Sequence, residues 1–145
     1  GGNFSLYSAF IVNIIAFICS CVILIKILKL LKKDNLVFPA LILYGLSMGT
    51  ISMVLFQRMY MLLTMWCTIF AYEHLEMMAS RKIKMKNLIS ILLATFGGVF
   101  THYYFVIFAF PMVIVQMIWM IMRKDFKMTG KYVFLHSSLI ISVLI

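Results

Sequence analysis

Long apolar runs alternate with short polar segments along the whole chain. Within each run the apolar residues are continuous rather than alternating with a period of two, which excludes an outer-membrane barrel. A helix needs about 20 mostly apolar residues to cross a bilayer, and helices satisfy their own backbone polar groups in hydrocarbon. The runs therefore predict an all-α fold, a polytopic membrane helix bundle with about five full transmembrane helices and part of a sixth. The runs cover residues 4–25, 36–56, 60–78, 88–100, 105–122 and 132–145.

Composition leaves room for little besides these helices. Hydrophobic residues make up 65% of the 145 residues and charged residues 12%, compared with about 25% charged residues in an average soluble domain. This composition excludes a soluble globular domain, a disordered tail and a disulfide-stapled secreted scaffold. We therefore expect residues 1–145 to form a single transmembrane domain. Because the chain starts at Gly1 and stops within an apolar run, we also expect it to be a fragment of a longer membrane protein.

The basic residues are concentrated in three clusters between the apolar runs. All of the 13 Lys and Arg residues except Arg58 belong to these clusters. Under the positive-inside rule such loops face the cytoplasm, where they also attract anionic lipid headgroups. We therefore expect a multi-pass protein of the bacterial plasma membrane, or alternatively of the endoplasmic reticulum membrane, with membrane lipids and not nucleic acid as its partners. The clusters are Lys26, Lys29, Lys32 and Lys33, then Arg81, Lys82, Lys84 and Lys86, then Arg123, Lys124, Lys127 and Lys131.

The opposite, outer side carries the residues that point to chemistry. Arg58 is the one basic residue predicted there, and a guanidinium near hydrocarbon either reaches the lipid headgroups or finds a partner. A phosphate fits it well, because the guanidinium can donate two parallel hydrogen bonds. The segment Thr101-His102-Tyr103-Tyr104 breaks the fourth run at the same level, where tyrosines are also typical of an aromatic belt. Two polar interruptions at the same depth on the outer side of the membrane predict an outward-facing pocket. Its predicted members are Gln57, Arg58, Tyr60, Thr101 and His102.

Other polar residues are interpreted as structural. Glu73, His74 and Glu76 adjoin a basic cluster, so we interpret them as a solvated helix end and predict no metal site. Gly45 and Gly49 form a small-xxx-small pair, which predicts close helix packing in the second run.

Two segments also carry a family resemblance. Residues 56–64, Phe-Gln-Arg-Met-Tyr-Met-Leu-Leu-Thr, and residues 98–105, Gly-Val-Phe-Thr-His-Tyr-Tyr-Phe, resemble bacterial membrane glycosyltransferases of the protein O-mannosyltransferase-like family, which have the GT-C fold. The resemblance covers residues 36–105. It implies transfer of a sugar from a polyprenyl-phosphate donor to an acceptor on the outer face. Carried over, it implies that Arg58 binds the donor phosphate and that Gln57, Tyr60, His102 and Tyr103 support it as hydrogen-bond donors.

The chain departs from this family in its acidic residues. Members use a carboxylate of the first exterior loop as base or metal ligand and carry Gln-Glu-Ala before Arg-Met-Tyr, where this chain has Leu55-Phe56-Gln57. No Asp or Glu is predicted on the outer side, so His102 is the only candidate base within the chain. We expect the acidic base upstream of Gly1 and the fragment alone to be inactive. No cofactor is assigned to the chain, and whether the full-length enzyme needs a divalent metal is left open. The oligomeric state is also left open.

Two other functions stay open. In a transporter or flippase subunit, Arg58 and His102 would line a substrate path, although transporters place ionisable residues and broken helices near the midplane. In a non-catalytic membrane assembly protein, Arg58 would simply contact the lipid headgroups.

Overall fold

The computed structural model describes residues 2–55, 59–124 and 126–144, with side chains placed from Tyr7 to Ser137. Within these ranges the chain forms seven α-helices and one short 3-10 helix, and no strand. The predicted all-α fold is therefore confirmed, and within the described residues every apolar run is helical except for a break in the second run at Ser47. The helices are α1 (Gly2–Leu30), α2 (Val37–Leu46), α3 (Met48–Leu55), α4 (Tyr60–Ser80), α5 (Met85–Thr101), α6 (Tyr104–Met122) and α7 (Phe126–Leu144), and the 3-10 helix is Asp34–Leu36.

Two of the described helices are long and apolar enough to cross a membrane by themselves. These are Tyr7–Leu30 and Tyr104–Met122, and α2 and α3 make a third crossing if the bent pair is counted as one span. Helix α5 is apolar but has only 17 residues, fewer than the roughly 20 that a perpendicular crossing needs. The length and apolarity of the helices thus show a helical chain with candidate membrane spans. They do not confirm the predicted count of five full spans and part of a sixth.

The second apolar run is broken at Ser47, where the sequence predicts one continuous helix. Ser47 has extended backbone angles, and α2 and α3 are bent by 56° around it. Its Oγ accepts the backbone N–H of Thr50 at 3.1 Å, so Ser47 caps the N-terminus of α3. Gly45 and Gly49 consequently lie on different helices, and a Cβ atom added at Gly49 would meet nothing within 4 Å. A Cβ atom at Gly45 would lie 3.6 Å from the ring of Phe17 on α1, an ordinary contact, so the two glycines do not form the joint close-packing face that the sequence predicts.

The close approach occurs instead at the neighbouring glycines of α5. A Cβ atom at Gly97 would overlap the indole ring of Trp66 on α4, and one at Gly98 would overlap the ring of Phe105 on α6. Small residues allow helix backbones to approach in this way. Gly97 and Gly98 therefore set how closely α4 and α6 pack against α5. Around them lies the buried core, to which α4, α5, α6 and α7 contribute Phe70, Met77, Ile91, Ala94, Phe105, Met120, Met128 and Tyr132.

Side-chain contacts also show which turns share an end of the bundle. The ammonium group of Lys26 lies 5.9 Å from the ring centroid of Tyr72, so the C-terminal halves of α1 and α4 run side by side. Helices α4, α5 and α6 each contact the next helix along the chain and are joined to it by a short connection, so the turn between α6 and α7 lies at the same end of the bundle as the turn between α4 and α5. All three basic clusters are thus at one end, which we call the basic end.

Candidate functional site at the aromatic end

The opposite end of the bundle holds three of the five residues that the sequence assigns to phosphate binding. Tyr60 begins α4, while His102 and Tyr103 form the short connection between α5 and α6. Gln57 and Arg58 lie outside the described residues.

These three side chains lie together around the ring of His102. Its centroid is 5.7 Å from that of Tyr60, 4.6 Å from that of Tyr103 and 4.5 Å from that of Tyr104. We call Tyr60, His102, Tyr103 and Tyr104 the aromatic cluster. Tyr60 is far from the others in sequence, so the approach of α4 to α5 is what brings it there.

The backbone fixes the orientation of the His102 ring. The N–H of Tyr104 donates to Nδ1 of His102 at 3.2 Å, so Nδ1 acts as an acceptor. In the neutral imidazole the proton then resides on Nε2. His102 consequently presents an N–H donor at its outer nitrogen, which suits an anion. The same tautomer does not suit the role of general base at that nitrogen.

Two further side chains of this connection differ in what they can offer. Tyr103 is exposed, and a hydrogen bond to Tyr104 raises the pKa of its phenol, so the phenol stays protonated near neutral pH. Thr101 donates its hydroxyl proton to the carbonyl of Gly97 at 2.5 Å, within its own helix. Thr101 therefore does not add a donor to the aromatic cluster, contrary to the predicted pocket.

The acidic residues of α4 lie near the basic end, and the interpretation of a solvated helix end is wrong. Glu73 and Glu76 are only 8% and 9% exposed. The buried amide of Asn87 on α5 donates to both carboxylates, at 2.6 Å to Glu73 and 3.0 Å to Glu76. Lys86 adds an ion pair to Glu76 at 2.7 Å. These hydrogen bonds and the ion pair hold α4 against α5. Across the described part of the chain, His, Cys, Asp and Glu form no group of three or more that could hold a metal ion.

A pair of histidines, buried His74 and half-buried His136, connects α4 to α7. Nδ1 of His74 lies 2.7 Å from the carbonyl of Phe70, and Nε2 lies 2.7 Å from the hydroxyl of Tyr132. Because the carbonyl can only accept, Nδ1 carries the proton and Tyr132 donates to Nε2. The ring of His136 is 5.6 Å from that of His74, and its Nε2 is buried without a hydrogen-bond partner among the described residues. Sequence reasoning missed this pair, since its members lie on separate apolar runs.

In comparisons with protein families, curated proteins and solved structures, nothing matches this chain. The fold and the site together define an all-helical chain with candidate membrane-spanning helices and an aromatic cluster with a histidine donor at one end of its bundle.

Proposed function

We propose that this chain belongs to a membrane glycosyltransferase and binds the phosphate of a polyprenyl-phosphate sugar donor at the outer face. The observation that carries the proposal is the aromatic cluster. In it the Nε2–H of His102 is available as a donor, and the exposed phenol of Tyr103 can donate to a phosphate in exchange for its hydrogen bond to Tyr104, at the end of the bundle opposite the basic clusters. Such neutral donors bind a phosphate without the cost of burying a second charge.

Sugar transfer gives these donors a specific task. The acceptor hydroxyl attacks the anomeric carbon, a new carbon–oxygen bond forms, and the bond to the phosphate oxygen breaks. Negative charge then develops on the departing polyprenyl phosphate, and donors aimed at that oxygen stabilise the transition state. Arg58 would supply the matching positive charge. The proton of the acceptor goes to a carboxylate that we place in a part of the enzyme outside this chain, because the tautomer of His102 suits a donor.

We further propose a membrane topology for the whole chain. We place five complete crossings and part of a sixth in a bacterial plasma membrane, with the basic end in the cytoplasm. In this arrangement α4 crosses although it contains Glu73 and Glu76, because both carboxylates are buried against α5 and paired there. The excess of Lys and Arg at one end supports the orientation.

Cysteine labelling tests this topology. With Cys19, Cys21 and Cys67 replaced by alanine, we expect Tyr103→Cys to react with a membrane-impermeant maleimide in intact cells. Lys82→Cys should react only after the membrane is permeabilised. Reaction of both from the same side would contradict the proposed orientation.

The activity is tested with His102 variants of the full-length enzyme in membranes. We expect His102→Leu to lower sugar transfer from a polyprenyl-phosphate donor about 100-fold, the typical loss for one stabilising donor. His102→Gln should keep much of the activity, because its amide can donate from nearly the same place. Phe100→Ala is the control, since Phe100 is an exposed residue of the same end that lies outside the aromatic cluster. Unchanged transfer by His102→Leu would contradict the proposal.

A transporter or flippase is the second candidate, and two observations favour it. The break at Ser47 bends α2 against α3 by 56°, and His74 lies buried between helices, with the half-buried His136 beside it. Broken helices and buried ionisable groups are typical of transport paths. Proteoliposomes with a fluorescent polyprenyl phosphate separate the two functions. Lipid movement that His136→Ala abolishes and His102→Leu leaves intact would favour transport, and absence of both activities would favour an assembly subunit.

A further inference from the structure

The basic end carries far more positive charge than the protein itself neutralises. Every Lys and Arg side chain of the three basic clusters is exposed. Among the described residues, the ion pairs are those of Lys84 and Lys86 with the shared carboxylate of Glu76. The remaining cations of these clusters have no acidic partner within hydrogen-bonding distance in the described part of the chain. An anion from outside the protein can therefore bind here.

Arg123 is oriented by an aromatic contact. Its guanidinium carbon lies 4.7 Å from the ring centroid of Trp119, one turn earlier in α6. Stacking on an aromatic face leaves the N–H groups at the edge of the guanidinium free to donate. In that plane they match two oxygens of a phosphate.

The surroundings of Arg123 bring two more charges and two apolar side chains. Lys124 follows directly in the left-handed conformation, with φ at 57°, and Lys127 lies in the first turn of α7. Met122 and Phe126 flank this turn and are 78% and 71% exposed. Apolar groups on both sides of a cationic turn suit an amphiphile better than a small ion in water.

We infer that Arg123, Lys124 and Lys127, on the two sides of the connection between α6 and α7, bind the phosphate of an anionic phospholipid, with Arg123 as the main contact. Asp125 between them lies outside the described residues, and its charge leaves these four positions with a net charge of +2. Lys124 and Lys127 add long-range attraction, and the acyl chains lie against Met122 and Phe126. Helix α6 supports this occupant, because it is a candidate span that ends at Met122, so a membrane crossing places Arg123 at headgroup level. The inference does not depend on the proposed glycosyltransferase activity.

The two tryptophans of the chain provide the test. In the Trp66→Phe variant of the full chain, Trp119 is the sole indole and reports on lipid next to Arg123. The protein is placed in nanodiscs of phosphatidylcholine with increasing brominated phosphatidylglycerol, and in matched nanodiscs with brominated phosphatidylcholine. We expect brominated phosphatidylglycerol to reach half-maximal quenching of Trp119 at about one fifth of the mole fraction that brominated phosphatidylcholine requires. The reason is that one basic contact near a membrane surface contributes about a fivefold preference for an anionic lipid.

Arg123→Gln should abolish most of this preference. Arg81→Gln is the matched control, because Arg81 is also exposed, loses the same charge and has no recorded aromatic contact among the described residues. The inference is overturned if Arg81→Gln reduces the preference as much as Arg123→Gln does. It is also overturned if Trp66, as the sole indole of a Trp119→Phe protein, shows the same preference. Either result would indicate a general enrichment of anionic lipid around the protein. Displacement by inorganic phosphate, at an ionic strength matched with chloride, would equally overturn the choice of a lipid.

Discussion

Substitution of Gly97 by alanine gives the sharpest test of the packing that forms the aromatic cluster. The added Cβ would overlap three carbons of the Trp66 indole ring, a rigid group that cannot move without disturbing α4. Overpacking of this kind costs about 1–3 kcal/mol. The alanine also gains about 1 kcal/mol of helix propensity over glycine. With the cost near its upper limit, because three ring atoms are involved, we expect a net loss of about 2 kcal/mol, or about 30-fold in the unfolding constant.

The assay is reversible denaturation of the purified chain in mixed detergent micelles, followed by circular dichroism as the fraction of sodium dodecyl sulfate increases. Gly130→Ala is the matched control, because Gly130 lies inside α7 and a Cβ atom there meets nothing within 4 Å. It should leave stability unchanged or raise it by up to about 1 kcal/mol. Gly97→Ala combined with Trp66→Leu should cost less than the two single changes added together, since the smaller side chain removes the overlap.

The reasoning is refuted if Gly97→Ala is as stable as Gly130→Ala. Helices α4 and α5 would then not approach at Gly97, and the contact between Tyr60 and His102, which depends on that approach, would lose its support.

Three further changes can be followed by the same titration. Tyr132→Phe should lose about 0.5–1.5 kcal/mol, because Nε2 of His74 then has no donor. Asn87→Ala should lose about 1–3 kcal/mol, because the buried Glu73 carboxylate loses its amide donor. Ser47→Ala should lose about 1 kcal/mol, because α3 loses the side chain that caps it.

Each of these changes has its own control. Tyr7→Phe removes an exposed hydroxyl and Asn35→Ala an exposed amide, so both should stay within about 0.5 kcal/mol of the parent chain. Ser47→Thr keeps a capping hydroxyl and should restore most of the stability that Ser47→Ala loses. A Tyr132→Phe chain as stable as the parent would mean that α4 and α7 are not joined through His74. Equal losses of stability from Asn35→Ala and Asn87→Ala would contradict a special role of the buried Asn87 amide.

The existence and type of the helices could be predicted because the signal is local. Each continuous apolar run is helical in the described residues, as expected of backbone that must satisfy its own hydrogen bonds away from water. The break at Ser47 was not predicted, since a serine within an apolar run reads equally well as a helix residue or as a cap. Its role became visible only when its Oγ was seen to accept the N–H of Thr50.

Part of the candidate site was also predictable. Polar residues interrupt two apolar runs at positions that topology assigns to one side, and the structure places Tyr60 beside His102. The tautomer of His102 was not predictable, because it depends on the backbone N–H of Tyr104 turning towards its ring. The solvent exposure predicted for Glu73 and Glu76 was likewise wrong. A charged residue beside a basic loop normally remains in water, and the sequence does not show that these two lie buried against Asn87.

An all-helical chain of strongly apolar segments, with its positive charge concentrated in short connections, follows from the order of residues alone, because hydrophobicity and charge act over neighbouring positions. Which residues contact one another across helices depends on the packing of the bundle. Gly97 meets Trp66 and His74 meets Tyr132. Both pairs depend on how separate helices rotate and cross, and the local pattern of residues does not contain this information.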